Sequence, residues 1–333
     1  MEELITLDYG SGGKKTASLI EKLILPQLDN PALRQLGDGA VVPGGEELVF
    51  STDSFVVSPR FFPGGDIGKL AVCGTVNDIC MSGGEPRWLS LALILEEGLP
   101  VAELEQILSS VAKAAKEAGV CVVTGDTKVV EKGRGDGIYI NTAGIGVLRQ
   151  PGLSPRAIRP GDRVLVSGTV GDHGAAVMLA RNQNLVQGEL KSDCAPLHRL
   201  SAALRQLGSD LRVLRDPTRG GVATTLCEFV EGTARSILLE EADIPVRPAV
   251  ASACDILGLD PLYCANEGKL LAVVAPERAE EALALLRGLP EGENAAVIGT
   301  VGEQWPGRVA VRTALGGTRI AAKLAGAQLP RIC

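Results

Sequence analysis

The chain has 333 residues, 45% hydrophobic and 22% charged, which is the balance of a globular protein too long for one ordinary core. A net charge of −7 excludes the basic footprint that nucleic acid or an anionic membrane surface requires. No apolar run reaches the length of a membrane span, and Met1-Glu2-Glu3-Leu4 lacks the basic start of a signal peptide, so a cytoplasmic location is expected.

From the N-terminus, Gly10-Ser11-Gly12-Gly13-Lys14-Lys15-Thr16 is Gly-rich but fails as a P-loop. Asp8 stands five residues before Gly13, and Lys15 rather than Ser or Thr follows Lys14. A flap over a phosphate and a plain loop both stay open. Leu48 to Asp53 reads as a strand ending in a carboxylate, and Asp66 to Met81 as a loose helix. A β-rich run follows at Leu89 to Leu95. Val101 to Ala118 is amphipathic, with Leu104, Ile107, Leu108, Val111 and Ala115 on one face and Gly119 as its stop. Strands are expected at Val120 to Thr124 and Gly137 to Leu148.

Arg149-Gln150-Pro151-Gly152-Leu153-Ser154-Pro155 and Arg159-Pro160-Gly161-Asp162 mark the boundary between two halves, 1–150 and 151–320. The second half has a strand at Arg163 to Ser167 and helices near Asp172 to Arg181, Pro196 to Leu207 and from Gly221. A strand at Lys269 to Val274, a helix at Pro276 to Leu286, and strands near Ala296 to Val301 and Arg308 to Arg312 complete it. Alternating strands and helices in two halves predict a two-domain α/β fold. Residues 321–333 have no pattern and are expected to form a flexible tail, whose last nine residues could span about 30 Å.

Eight cysteines form no C-x-x-C pair and are joined by only two histidines, which argues against disulfides and zinc. Cys73, Cys80 and Cys227 fall in helical apolar patterns and Cys121 in a strand-like one; all four are expected to be reduced core residues. Cys333, the last residue, is different. A thiol on a mobile end is exposed and can reach more than one site.

Acidic turns recur at Gly37-Asp38-Gly39-Ala40, Thr52-Asp53-Ser54, Asn77-Asp78, Gly125-Asp126-Thr127-Lys128 and Asp216-Pro217-Thr218-Arg219-Gly220-Gly221. Each alone is most often a cap or turn former. Together they suit Mg²⁺, which takes hard oxygen ligands shared with nucleotide phosphates. Asp53 and Asp126 are placed at strand ends, where α/β folds hold ligands. Arg219 with Gly220-Gly221 at a helix start offers a cation and free N–H groups to an anion.

Motifs along nearly the whole chain then resemble the HypE family of hydrogenase expression/formation proteins, the carbamoyl dehydratases, within the AIR synthetase (PurM-like) ATP-binding superfamily. They include Phe61-Phe62-Pro63-Gly64-Gly65, Ile67-Gly68-Lys69-Leu70-Ala71, Val123 to Val129, Gly171-Asp172-His173-Gly174, Ser192-Asp193-Cys194, Ala265-Asn266-Glu267-Gly268-Lys269-Leu270 and the end Pro330-Arg331-Ile332-Cys333. The acidic turns are shared across the superfamily; the Pro-Arg-Ile-Cys end is the specific signal. The resemblance implies a two-domain subunit that dimerises through its N-terminal half and binds Mg-ATP between the halves. It implies a carbamoyl group taken onto the terminal thiol from the carbamoyltransferase HypF and dehydrated with ATP to a thiocyanate. Cyanide then passes through a HypC–HypD complex to the iron of nickel–iron hydrogenase.

On that basis Asp38, Asp53, Asp78 and Asp126 are assigned to Mg²⁺, with Asp216 less firmly placed. Lys69, Asn77, Gly125, Thr127, Lys128, Thr218, Arg219 and Gly220 join the four and Asp216 around the nucleotide. Cys333, Glu267 and Lys128 are the catalytic candidates, Glu267 taking the amide proton if burial raises its pKa. Gly39 replaces the second carboxylate many superfamily members carry beside Asp38. His173 is read as a helix cap outside the chemistry, and the balance of Arg331 against the terminal carboxylate leaves the direction of the Cys333 pKa open. Two rivals remain: a carbamoyl or cyano carrier without ATP chemistry, and selenophosphate synthetase, whose reactive cysteine is absent from the Ser11 loop.

Overall fold

In the computed structural model the described residues are 4–6, 9, 18–31, 33–35, 44, 47–181, 190–324, 329 and 331–333. The Gly-rich loop at 10–16 and Asp38 lie outside them.

The first half builds a four-stranded sheet from Leu48–Phe55 (β1), Gly84–Glu96 (β2), Cys121–Val130 (β3) and Ile138–Leu148 (β4), in the order β1-β4-β2-β3. Helix Ile67–Met81 (α1) precedes β2, and Val101–Ala118 (α2) makes the crossover between the parallel β2 and β3. The α1 sequence shows only a loose period because the helix is wrapped by protein. Of its residues only Lys69 and Asp78 escape burial. Asp66 caps it, its Oδ1 accepting from the Gly68 and Lys69 N–H groups at 2.8 and 3.0 Å. At Gly68 a Cβ would stand 2.5 Å from the Ile107 carbonyl oxygen, so glycine is what lets α1 cross α2 closely.

The second half forms a seven-stranded sheet from Arg163–Val166 (β5), Leu211–Arg215 (β6), Ser236–Glu240 (β7), Leu271–Val274 (β8), Ala296–Gly302 (β9), Val309–Arg312 (β10) and Thr318–Ala321 (β11). Its order is β11-β10-β7-β9-β5-β8-β6. Helices Asp172–Arg181 (α3), His198–Leu204 (α4), Gly221–Val230 (α5), Pro248–Leu257 (α6) and Ala279–Arg287 (α7) complete this half. One apolar cluster runs from α1 and α2 through α3, α4 and α7, joining the halves; a second fills the α5 side of the larger sheet.

Two local expectations fail for tertiary reasons. The strand read at Val120 to Thr124 continues through Gly125-Asp126-Thr127-Lys128 to Val130, because pairing with β2 holds the polar stretch extended. Asp126 is therefore within a strand, not at its end, and β1 likewise runs past Asp53 to Phe55. Cys121 is exposed rather than part of the core, at the start of an edge strand, while Cys73 and Cys80 are buried as expected.

Candidate active site

The seam between the halves gathers Asp53 from β1, Asp78 from α1, Asp216 just beyond β6 and Glu267 just before β8. Asp78 Oδ2 accepts from the Ser51 hydroxyl at 2.8 Å, and Asp53 Oδ1 from the Ser54 N–H at 2.7 Å. Burial raises the pKa of both carboxylates; Asp78 raises that of Asp53 further, while Arg219 opposes. Asp216 is the extreme of the three. Burial, then the charge of Asp78, push it up to about 7. Gly220, with φ of 81°, caps α5 beside it and leaves the first N–H groups of that helix without a side-chain acceptor.

Glu267 is 2% exposed, and its Oε1 has no hydrogen-bond partner. Burial, followed by the charges of Cys194 and Asp216, raises its pKa well above the ordinary value. Its loop is rigidly placed. Asp193 accepts from the Glu267 and Gly268 N–H groups, both at 3.2 Å, and lies 3.6 Å from Lys269 Nζ. Asn266 accepts from Gly171 N–H at 2.7 Å and donates to the Pro217 carbonyl at 3.1 Å, tying the loop to the Asp216 turn.

The chain end packs into this seam. Val56 N–H donates to a terminal carboxylate oxygen of Cys333 at 3.1 Å and Ser58 N–H to the Arg331 carbonyl oxygen at 3.2 Å. Ile332 is 1% exposed. Arg331 pairs with Asp136 and donates to the Val56 carbonyl at 3.0 Å; Arg181 donates to the carbonyls of both Ser58 and Arg331. Burial pushes the Cys333 thiol up to about 12; the Glu267 and Asp53 charges add to that and Arg219 opposes it. Docked, the sulfur is a thiol and not a nucleophile.

Other expected residues go elsewhere. Asn77 is a pin between the halves: it accepts from Leu197 N–H at 2.8 Å and donates to the carbonyls of Ala195 and Glu267 at 3.2 and 3.4 Å. Lys69 Nζ donates to the Gly64 carbonyl at 3.1 Å. Asp126 and Lys128 pair with each other at 2.8 Å on the exposed edge strand. Along the sheet Asp53 faces Thr142, Thr142 faces Leu91 and Leu91 faces Gly125. Three strand spacings, about 14 Å, therefore separate Asp53 from the Gly125-Asp126-Thr127 stretch. Thr218 forms the turn into α5, its carbonyl accepting from Gly221 N–H at 2.9 Å. A cavity of about 550 Å³ lined by Ser58, Arg60, Glu103 and Asp136 opens beside the tail and includes none of the carboxylates assigned to the metal.

Among the described residues no three acidic, histidine or cysteine side chains converge into a protein-only metal cage. Asp53, Asp78 and Asp216 nevertheless fit a divalent cation. They repel one another behind burial, and Mg²⁺ keeps waters and phosphate oxygens in its shell and so needs no complete cage. Sequence reasoning missed His173, Ser192, Asp193 and Asp136. The first three belong to matched motifs, His173 read there as a helix cap and Ser192 and Asp193 without a role, and nothing local marks Asp136.

Family models for the AIR synthase related protein N-terminal and C-terminal domains match residues 36–148 and 159–312. A carbamoyl dehydratase HypE of Cupriavidus necator is 50% identical over 99% of this chain and 95% of its own length. That of Escherichia coli is 46% identical over 99% of both chains. A crystal structure of a hydrogenase maturation protein HypE in complex with ATP superposes with a TM-score of 0.94 at 50% identity, covering 98% of this chain and 99% of that one. One of a HypE–HypF complex gives 0.80 at 48% identity over 92% and 100%. A thiamine monophosphate kinase of Aquifex aeolicus, 21% identical with a TM-score of 0.61 over 90% and 97%, shares the fold. With both halves matched and relatives near 50% identical along almost its whole length, the chain belongs to the carbamoyl dehydratase HypE family of AIR synthase related proteins.

Proposed function

We propose that this chain is an ATP-dependent carbamoyl dehydratase, turning an S-carboxamide on Cys333 into a thiocyanate that supplies cyanide to nickel–iron hydrogenase. The observation that carries this is the placement of the terminal thiol within the electrostatic reach of Glu267, a buried carboxyl group with an unpartnered oxygen. A carrier needs neither that group nor the acidic seam around it.

ATP supplies phosphorylation of the amide oxygen, which converts a poor leaving group into phosphate. The protein's part is to bind, orient and move a proton. Asp53, Asp78 and Asp216 would hold Mg²⁺, with Asp38 as a further ligand from outside the described residues. Arg219 and the N–H group at Gly220 would face phosphate oxygens. Of the two amide N–H protons, one leaves as the oxygen is phosphorylated; Glu267, when ionised, would receive the other on Oε1 as the C≡N bond forms and phosphate departs, its raised pKa making it the stronger base. Asp126, Gly125, Thr127 and Lys128 stand too far along the sheet from Asp53 to share a cation with it within one chain, and their assignment to the nucleotide is placed here on a second copy of the chain. A homodimer, with Leu48, Phe50 and Ile94 exposed on the smaller sheet, is part of the proposal. Lys69 and Asn77 are better explained by structure than by nucleotide.

The proposal divides the chain at 150/151; of the expected tail 321–333, Ala321 closes β11, and the chain end beyond it leaves the seam to be carbamoylated. A thiol raised to about 12 in place supports acceptance outside it. The carbamoyl donor is taken to be HypF, the acceptor a HypC–HypD complex, and the compartment the cytoplasm. No described helix is long and apolar enough to cross a membrane. Intact-mass and C-terminal peptide spectrometry after incubation with the carbamoyltransferase tests the reading. A Cys333 carboxamide that loses one water only with Mg-ATP supports it; one that persists points to a carrier.

A further inference from the structure

The bonds from Val56 and Ser58 to the tail are ones that any peptide laid along that segment could make. The contact at Ile332 is of another kind. Its carbonyl oxygen lies 2.8 Å from Nε2 of His173, a fully buried residue in the first turn of α3. A carbonyl can only accept, so Nε2 carries the hydrogen, and in the neutral ring that burial favours Nδ1 is the bare nitrogen. Nδ1 lies 2.8 Å from the Ser192 hydroxyl, which must therefore donate to it. Ser192 Oγ in turn accepts from the Cys194 N–H at 3.0 Å. The ring packs edge to face with that of Phe62, their centroids 5.4 Å apart and their planes at 89°. Burial lowers the imidazole pKa, which is what selects the neutral ring over the imidazolium. Both ring nitrogens thus bond outside α3, and the side chain is not the helix cap that its sequence context suggests.

The residue between Ser192 and Cys194 is Asp193, which holds the Glu267-Gly268 backbone. One connected set therefore runs from the Ile332 carbonyl through His173 and Ser192 to the loop bearing Glu267. At Gly268 a Cβ would stand 1.8 Å from the Asp193 carbonyl oxygen, so that loop has no room to shift against its support. We infer that His173 is the positioning residue for the tail, a latch on the residue preceding Cys333 that sets the terminal sulfur in register with Glu267. The grip is on a backbone carbonyl one residue from the chain end, so it reads position rather than side-chain identity. The inference rests on the proposed role of Cys333, and its test separates the two.

The experiment uses the full chain and iodoacetamide, with labelling of each cysteine followed by peptide mass. Opening of the tail limits alkylation of Cys333, so its rate reports the docked fraction. His173→Ala is expected to raise that rate about tenfold, the equivalent of about 1.4 kcal/mol for one buried hydrogen bond. Buried Cys73 and Cys254 should stay protected, and His173→Gln, whose amide can still donate to the carbonyl, should remain within about threefold of wild type. An unchanged Cys333 rate in a folded His173→Ala overturns the latch. If instead His173→Ala exposes every buried cysteine, the decision passes to Ser192→Ala. A rise of about threefold confined to Cys333 then supports the latch, and no rise overturns it.

The second readout takes protein carbamoylated by the carbamoyltransferase. His173→Ala should accept the carbamoyl group at least as fast as wild type yet lose about tenfold in ATP-dependent loss of water. Wild-type dehydration by that variant overturns the positioning role. Failure of both proteins to lose water sinks the dehydratase reading instead, while the alkylation rates still decide the latch.

Discussion

Asn77 and Glu267 lie at the same seam and are equally hidden, at 1% and 2% exposure, yet they use that burial in opposite ways. The Asn77 amide is engaged at both ends by backbone groups of the second half. Glu267 leaves Oε1 unmatched, although its own backbone N–H and carbonyl are bonded. A satisfied buried polar group is structure; an unsatisfied one costs stability and persists where something else needs it. The same contrast separates Asp126, paired with Lys128 in solvent, from Asp216, buried among like charges.

The sharpest test of that contrast is Glu267→Gln. It should cut ATP-dependent water loss from the carbamoylated tail by about 10²–10⁴-fold, a usual span for a general base, while the folded chain keeps or gains stability. Peptide mass measures the first and denaturant melts the second; normal dehydration would remove Glu267 from the chemistry. Asn77→Ala should show the reverse. Leaving Leu197 N–H and two carbonyls unmatched is expected to cost about 2–4 kcal/mol of stability, with a smaller loss of activity per folded molecule. If its stability holds while activity vanishes, the two residues are not the contrast drawn above.

Asp216→Asn comes next. The ordinary carboxyl pKa is 3.8 and the folded value about 7, so between them the folded chain binds a proton the unfolded chain releases. Stability therefore falls as pH rises across that window. The variant, lacking the penalty, should be more stable by about 1–3 kcal/mol at pH 8, indistinguishable near pH 3.5, and defective in Mg-ATP binding. Melts at several pH values with and without Mg-ATP check both halves. The smallest effect belongs to Asp126→Asn, where loss of an exposed pair should change the stability of the isolated chain by less than about 1 kcal/mol.

Much of this was legible in one dimension. The spacing of Leu104, Ile107, Leu108 and Val111 and the stop at Gly119 delimit α2, and α3 also follows its expected bounds. The motifs ending in Pro-Arg-Ile-Cys identify the family and single out Cys333, and the Asn266-Glu267-Gly268 motif proposes a base. These signals are local: period, turn chemistry and short motifs need no knowledge of what lies opposite. The tertiary structure decided which carboxylates meet, placing Asp126 in an edge strand away from Asp53 and Asp216 beside Asp78. It also decided that Asn77 is a pin, that Cys121 is exposed, that the thiol is raised in its docked place and that His173 reaches the tail. Those outcomes depend on bonds such as His173 to Ile332 and Asn77 to Leu197, 159 and 120 residues apart in the chain. Burial and pairing over such distances are properties of two packed halves, and no residue's sequence neighbours record them.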